Sequence, residues 1–159
     1  MSILPGICVV DIAGKETRSR MMSGIRGRDT LLELRIRKSL HQQGFRYRLH
    51  YSRLPGKPDL VFPSRKALIL INGCFWHQHK CHLFKWPTTR MDFWKAKISS
   101  NYSRDLRNLA KYRELGWRTL VIWECALKGK NAWPFEKVAD WVAYWLLHQD
   151  KDIEIRGMF

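Results

Sequence analysis

Cys74-x4-His79-x-Cys81 stands just behind one unbroken apolar run, Ala67–Ile71, and Cys125 stands just behind another, the Leu120–Ile122 centre of Trp117–Trp123. Runs of that length without polar alternation read as strands buried on both faces. Three thiolates and one imidazole are the ligands zinc takes in a tetrahedron. A closed shell of four leaves no position for substrate, so such a site is structural. An ion held there ties the loop after the first run to the end of the second. The competing reading is buried free thiols among surface histidines, which imposes no such tie. Spacing does not choose the histidine, because His77 and His79 share the parity of an extended chain and His82 is close. A histidine left free beside the cluster titrates near neutral pH and suits a general base. The remaining cysteine, Cys8, receives no role.

The rest of the chain reads as alternating helices and strands. Residues 1–16 form a leader, 17–29 a basic arm, 17–150 the domain as a whole and 151–159 a polar tail. A helix starts near Thr30, where Thr30-Leu31-Leu32-Glu33 fits a capping box, and Gly44 stops it. Its apolar positions are Leu31, Leu34, Leu40 and Ile36. Phe45–Tyr51 alternates like a half-buried strand, Leu54–Pro58 turns, and Asp59–Phe62 is a short strand. Asn72–Arg90 has no period and reads as a long functional loop. Helical spacing of Ile98, Tyr102, Leu106, Leu109 and Tyr112 predicts a helix from Asp92 to Leu115, ended by Gly116. A last helix, capped by Asn131 with Pro134 in its first turn, runs to His148. This order predicts an α/β fold with a mixed central sheet flanked by helices.

Charge narrows the partner. Twenty-nine Lys and Arg against 14 Asp and Glu leave a net charge of +15. Such an excess favours a polyanion, since each neutralised phosphate releases condensed counterions. A membrane surface is the alternative, but no basic amphipathic helix dominates and no apolar run spans a bilayer. Without a basic leader before a long apolar stretch, a cytoplasmic protein is expected. Eight tryptophans are present, and Trp76, Trp86 and Trp94 fall in one segment dense in Lys, Arg and His. Rings among cations suit base stacking or wedging between base pairs.

Pro58-Asp59 precedes a strand beside this basic region. A carboxylate there can hold Mg²⁺, which takes oxygen ligands and keeps several waters. Turns often end in Pro-Asp, so the motif alone is weak. Glu33 is a candidate second acid, although capping its own helix explains it equally well.

Several short motifs in fixed order resemble the very-short-patch mismatch repair (Vsr) endonucleases, bacterial enzymes that nick DNA beside a T:G mismatch. These are Thr17–Met22 (T-R-S-R-M-M), Arg28–Glu33 (R-D-T-x-x-E), Leu54–Asp59 (L-P-G-K-P-D) and Gly73–Cys81 (G-C-F-W-H-Q-H-K-C). Leu83–Lys85, Thr89–Trp94, Leu115–Arg118 and Val121–Leu127 continue the series. The resemblance implies a single-domain PD-(D/E)xK-type nuclease with a structural zinc and a catalytic Mg²⁺. It implies that Asp59 carries the Mg²⁺ with the backbone carbonyl of Ile71, that His77 activates water, and that Glu33 is an acid near the site. It implies zinc on Cys74, His79, Cys81 and Cys125. Phe75, Trp76 and Trp94 resemble the wedge residues, and Arg18, Arg20, Arg26, Arg28 and Lys97 would meet the DNA backbone. The implied partner is double-stranded DNA with a T:G mismatch, acted on by a monomer alongside other mismatch-repair proteins.

Two positions depart from the pattern. The family's usual T-H-G-C is here Ile71-Asn72-Gly73-Cys74. A backbone carbonyl serves from Ile as from Thr. Asn72, however, replaces a second catalytic histidine and cannot transfer a proton, though it can hydrogen-bond a phosphate oxygen. A restriction-type enzyme on matched DNA, or a zinc-containing DNA-binding module of weak activity, are the alternatives this leaves.

Overall fold

The computed structural model describes residues 29–158. The expected leader and the arm with Arg18, Arg20, Arg26 and Arg28 lie outside the described residues. So does Cys8.

A four-stranded sheet organises the described chain, in the order β1 (Leu60–Phe62), β2 (Ala67–Asn72), β3 (Arg118–Trp123) and β4 (Ile153–Ile155). β1 and β2 are antiparallel because only the 3₁₀ turn Pro63–Arg65 and the left-handed Lys66 join them. β2, β3 and β4 run parallel, and each crossover carries helix, as parallel pairing requires. The helices are α1 (Leu31–Gln42), α2 (Met91–Glu114), the short α3 (Glu124–Leu127) and α4 (Phe135–His148). Among the described residues no helix is long and apolar enough to cross a membrane.

The period of two along the strands divides the core. Leu60, Phe62, Ala67, Ile69, Leu120 and Ile122 face Ile36 and Leu40 of α1 and Val138, Val142, Trp145 and Leu146 of α4. Val61 and Leu68 face the other way, toward Leu54, Tyr112 and Trp117. The expectation that Ala67–Ile71 is covered on both faces is met at Ala67, Leu68 and Ile69, which are fully buried.

Helices α1 and α2 both stop at glycine. Gly44 (φ 87°) and Gly116 (φ 74°) adopt the left-handed conformation. The following Phe45 and Trp117 donate back to the carbonyls of Leu40 and Tyr112. That is the paired arrangement in which glycine avoids a Cβ clash.

Four expectations are corrected. The last helix starts at Phe135 with Pro134 at its cap, so Asn131 does not cap it. Phe45–Tyr51 is not a strand: only Arg48 pairs, as an isolated bridge to Val61. Its alternation instead docks Phe45 and Tyr47 edge-on against Phe62, and His50 (φ 51°) turns the chain away. In α1, Ile36 and Leu40 are buried but Leu31 (80% exposed) and Leu34 (46%) are not. The buried face there is completed by Glu33 and Arg37, which pair at 3.0 Å. Finally, the tail read as polar supplies β4, whose Ile153 and Ile155 pair with Leu120 and Ile122. Its alternation is three residues long, too short to register as a period.

Candidate active site and metal cluster

Asp59 lies just past the last β1–β2 pair, Leu60–Ile69. Its Oδ2 accepts the N–H of Ile71 at 2.7 Å. In a strand the N–H and C=O of one residue face the same edge, so the Ile71 carbonyl also faces the side occupied by Asp59. Burial pushes the Asp59 carboxyl up to about 6, and the Glu33 carboxylate adds to the rise. The Ile71 amide, Arg37 and His77 pull the other way. Glu33 and His77 are therefore close enough to act on Asp59 electrostatically. A half-buried carboxylate destabilised mainly by burial, with a second acid near it, is a group whose ionised form a divalent cation would stabilise.

His77 Nδ1 lies 2.5 Å from Oδ2 of Asp105. This pairing leaves Nε2 for a proton from elsewhere, as an imidazole fixed by a carboxylate commonly does. Asp105 belongs to α2, and α2 reads the loop residue by residue. Trp94 packs on Phe75 and Trp76, Asn101 donates to the Trp76 carbonyl at 3.2 Å, and Asp105 meets His77. Positions 94, 98, 101, 105 and 112 form one stripe along a helix. Ile98 and Tyr112 on that stripe are buried, whereas Tyr102 and Leu106 remain 46% and 51% exposed. The apolar face read from the sequence is thus displaced from the real one, because the stripe includes polar side chains aimed at the loop. Asn72, at the end of β2, lines the same cleft as His77 and Asp105, a cavity of about 270 Å³.

The loop folds back through successive turns. His77 donates its backbone N–H to Gly73, His79 to Cys74, Cys81 to His79 and Phe84 to Cys81, with Gln78 left-handed between the histidines. These turns, with α3 at the end of β3, gather Cys74, His79, Cys81 and Cys125 so that their ligand atoms all lie within 4.8 Å of one another. Nδ1 of His79 is 3.5 Å from Sγ of both Cys74 and Cys125. A tetrahedron with metal–sulfur bonds of about 2.3 Å and metal–nitrogen of about 2.0 Å has S···N edges near ~3.6 Å. The donor set and its spacing therefore fit one small cation. His79 is the histidine the geometry selects, and His77 is turned to Asp105. Burial, with Arg156 nearby, lowers the pKa of His79, which favours the neutral ring a metal would take. Burial pushes the Cys74 and Cys125 thiols up, and the Cys81 sulfur adds to both. A coordinated cation reverses that balance and holds thiolates.

Beside the cluster is a continuous aromatic surface. Phe75 meets Trp76 at 5.1 Å, Trp94 at 5.4 Å and Phe84 at 6.3 Å between centroids. Trp86 and Phe93 extend it and are exposed. Arg90 lies over Phe93, and Lys85 and Lys97 are exposed nearby in the chain.

A profile of the family DNA mismatch endonuclease Vsr matches residues 10–83. The DNA mismatch endonuclease Vsr of Escherichia coli K12 is 40% identical over 147 residues, covering 92% of this chain and 94% of its own. The chain belongs to the DNA mismatch endonuclease Vsr family. Among further relatives, the type II nicking enzyme V.XorIIP of Xanthomonas oryzae is 41% identical, covering 78% of this chain and 91% of its own. The type II nicking enzyme V.NmeAIP of Neisseria meningitidis is 40% identical, covering 77% and 87%. The endodeoxyribonuclease reading of the sequence thus agrees with the family. Asp105 and Asn101 were not singled out from the sequence. Their signal is the i, i+7 and i+11 spacing from Trp94.

Proposed function

We propose that this Vsr-family chain is a Mg²⁺-dependent, strand-nicking DNA endonuclease acting at T:G mismatches, on a PD-(D/E)xK-type scaffold with a structural zinc. The observation that carries the reading is the convergence of Asp59 with the His77–Asp105 pair at the end of β2. Pro58-Asp59 supplies the first half of the scaffold's signature. β2 itself carries neither acid nor lysine, so Glu33 of α1 is the acid facing Asp59.

Asp59 and the Ile71 carbonyl would hold the Mg²⁺, with Glu33 behind them, and an ion held there would supply Lewis-acid polarisation of the scissile phosphate and charge for the leaving oxyanion. His77 takes a proton from the attacking water at Nε2, while Asp105 holds Nδ1 and stabilises the imidazolium that forms. Asn72 donates a hydrogen bond to a phosphate oxygen. Cys74, His79, Cys81 and Cys125 would hold the zinc, which would fix the loop that carries His77. Phe75, Trp76 and Trp94 unstack the duplex. A wobble pair is already weakly stacked, and unstacking a step costs a few kcal/mol, so wedging selects the mismatch. Arg18, Arg20, Arg26, Arg28 and Lys97 contact phosphates. The enzyme works as a cytoplasmic monomer on chromosomal DNA, alongside other mismatch-repair proteins.

Incubation with Mg²⁺ and either a T:G duplex or its matched counterpart tests this. Nicking of one strand of the T:G duplex alone is expected. Equal cleavage of matched DNA makes it a restriction-type enzyme, and binding without cleavage makes it a DNA-binding module.

A further inference from the structure

The segment after α4 reaches the metal cluster as well as the sheet. The N–H of Gly157 points at Sγ of Cys125 at 3.4 Å, and the N–H of Cys125 points at Sγ of Cys74 at 3.4 Å. Amide donors to sulfur stabilise the thiolate form and fix its direction. Gly157 is buried, and a Cβ placed there would lie 2.5 Å from the Cys125 carbonyl oxygen and 2.9 Å from that of Asn131. Both neighbours are backbone, so the approach admits glycine alone. Met158 donates to the Asn131 carbonyl at 2.7 Å, and the Trp133 indole donates to the Arg156 carbonyl at 2.8 Å, which hold the segment down.

The same segment reaches a second ligand. Trp123 lies flat on the His79 ring, 4.1 Å between centroids and 12° from parallel. Its indole N–H donates to Oε2 of Glu154 at 3.1 Å, and Arg156 grips that oxygen at 2.6 Å. One carboxylate on β4 thus sets the plane against which a ligand ring rests.

We propose that Glu154–Gly157 forms the outer wall of the metal cluster, with the Gly157 amide and the Trp123–Glu154 pair as positioning groups that retain the ion. The proposal rests on the reading of the cluster as a zinc site. Groups behind metal ligands typically change affinity by about 10–100-fold when removed.

Full-length protein loaded with zinc alone and mixed with a chromogenic chelator reports the release rate. Cobalt substitution adds a thiolate charge-transfer band as a second readout. Gly157→Ala is expected to release zinc about tenfold faster and to shift that band. Trp123→Phe keeps the stack, loses the indole donor and is expected to release zinc about threefold faster. Ile153→Ala weakens β4 at its pairing with Leu120, away from the cluster, and controls for stability. Release from Gly157→Ala no faster than from Ile153→Ala at equal loss of Tm overturns the proposal and leaves the zinc reading standing. Should Gly157→Ala not fold, a wild-type release rate in Trp123→Phe overturns it. A wild-type protein that takes up no zinc overturns both.

Discussion

The carboxylate of Asp105 stands 2.5 Å from Nδ1 of His77, joining the middle of α2 to the loop after β2. If this pair delivers one proton-transfer function, its members act as a unit. His77→Ala is expected to slow single-turnover nicking by about 10²–10⁴-fold, the range of a general base. Asp105→Asn is expected to slow it about 10–100-fold with DNA affinity unchanged. The double variant should be no slower than His77→Ala. Multiplying effects in the double variant would show independent roles.

Asp59 gives a pH signature. Burial holds its folded-state pKa at about 6, above the ordinary 3.8. The native state therefore binds this proton more tightly than the unfolded chain does. Its favourable contribution is complete below the unfolded value and is lost as pH rises to about 6, after which the ionised group is carried at a cost. Asp59→Asn removes that cost, so Tm in metal-free buffer at pH 7.5 should rise by a few degrees while nicking is abolished. Stabilisation of the wild type by Mg²⁺ should fade below pH about 6, where the ligand is protonated. Thermal melts of both proteins across pH, with and without Mg²⁺, decide it. Identical melts would remove Asp59 from the metal site.

The cluster makes a different prediction. Cys81→Ser and His79→Ala should lose zinc and several degrees of Tm together, because metal binding and folding are coupled. His77→Ala should keep both. Metal content measured beside Tm separates the two histidines, and zinc loss in His77→Ala would exchange their assignments.

Asn72 ends β2 at the cleft that His77 and Asp105 line. Asn72→His places a titratable ring beside that cleft. The nicking rate is expected to rise about tenfold, with a new titration in the rate profile near the ordinary histidine range of about 6.5. An unchanged or reduced rate would show that the asparagine is fully adapted to its place.

Much of this arrangement was legible in residue order. The two apolar runs gave β2 and β3, Gly44 and Gly116 gave helix ends, and the cysteines gave the cluster, because each rests on local chemistry. Asp105 was hidden because an acid set among the lysines and arginines of a helix has no local signature. Its meaning comes from a loop 28 residues away. β4 was hidden because Ile153–Ile155 is held by pairing with β3 rather than by its own pattern. Tyr102 and Leu106 misled because they line the open cleft beside His77 and Asp105, so apolar spacing there marks a cavity wall and not a packed core.

α2 has a mechanical consequence. Trp94 and Asp105 are carried on one uninterrupted helix, roughly 17 Å apart at 1.5 Å per residue. A helix transmits displacement along its axis as a stiff rod, and this one is held at its far end by Tyr112, buried and bonded to the Pro55 carbonyl at 2.5 Å. A push on Trp94 is therefore leverage on the His77–Asp105 pair, so whatever seats the indole also sets the alignment of the imidazole.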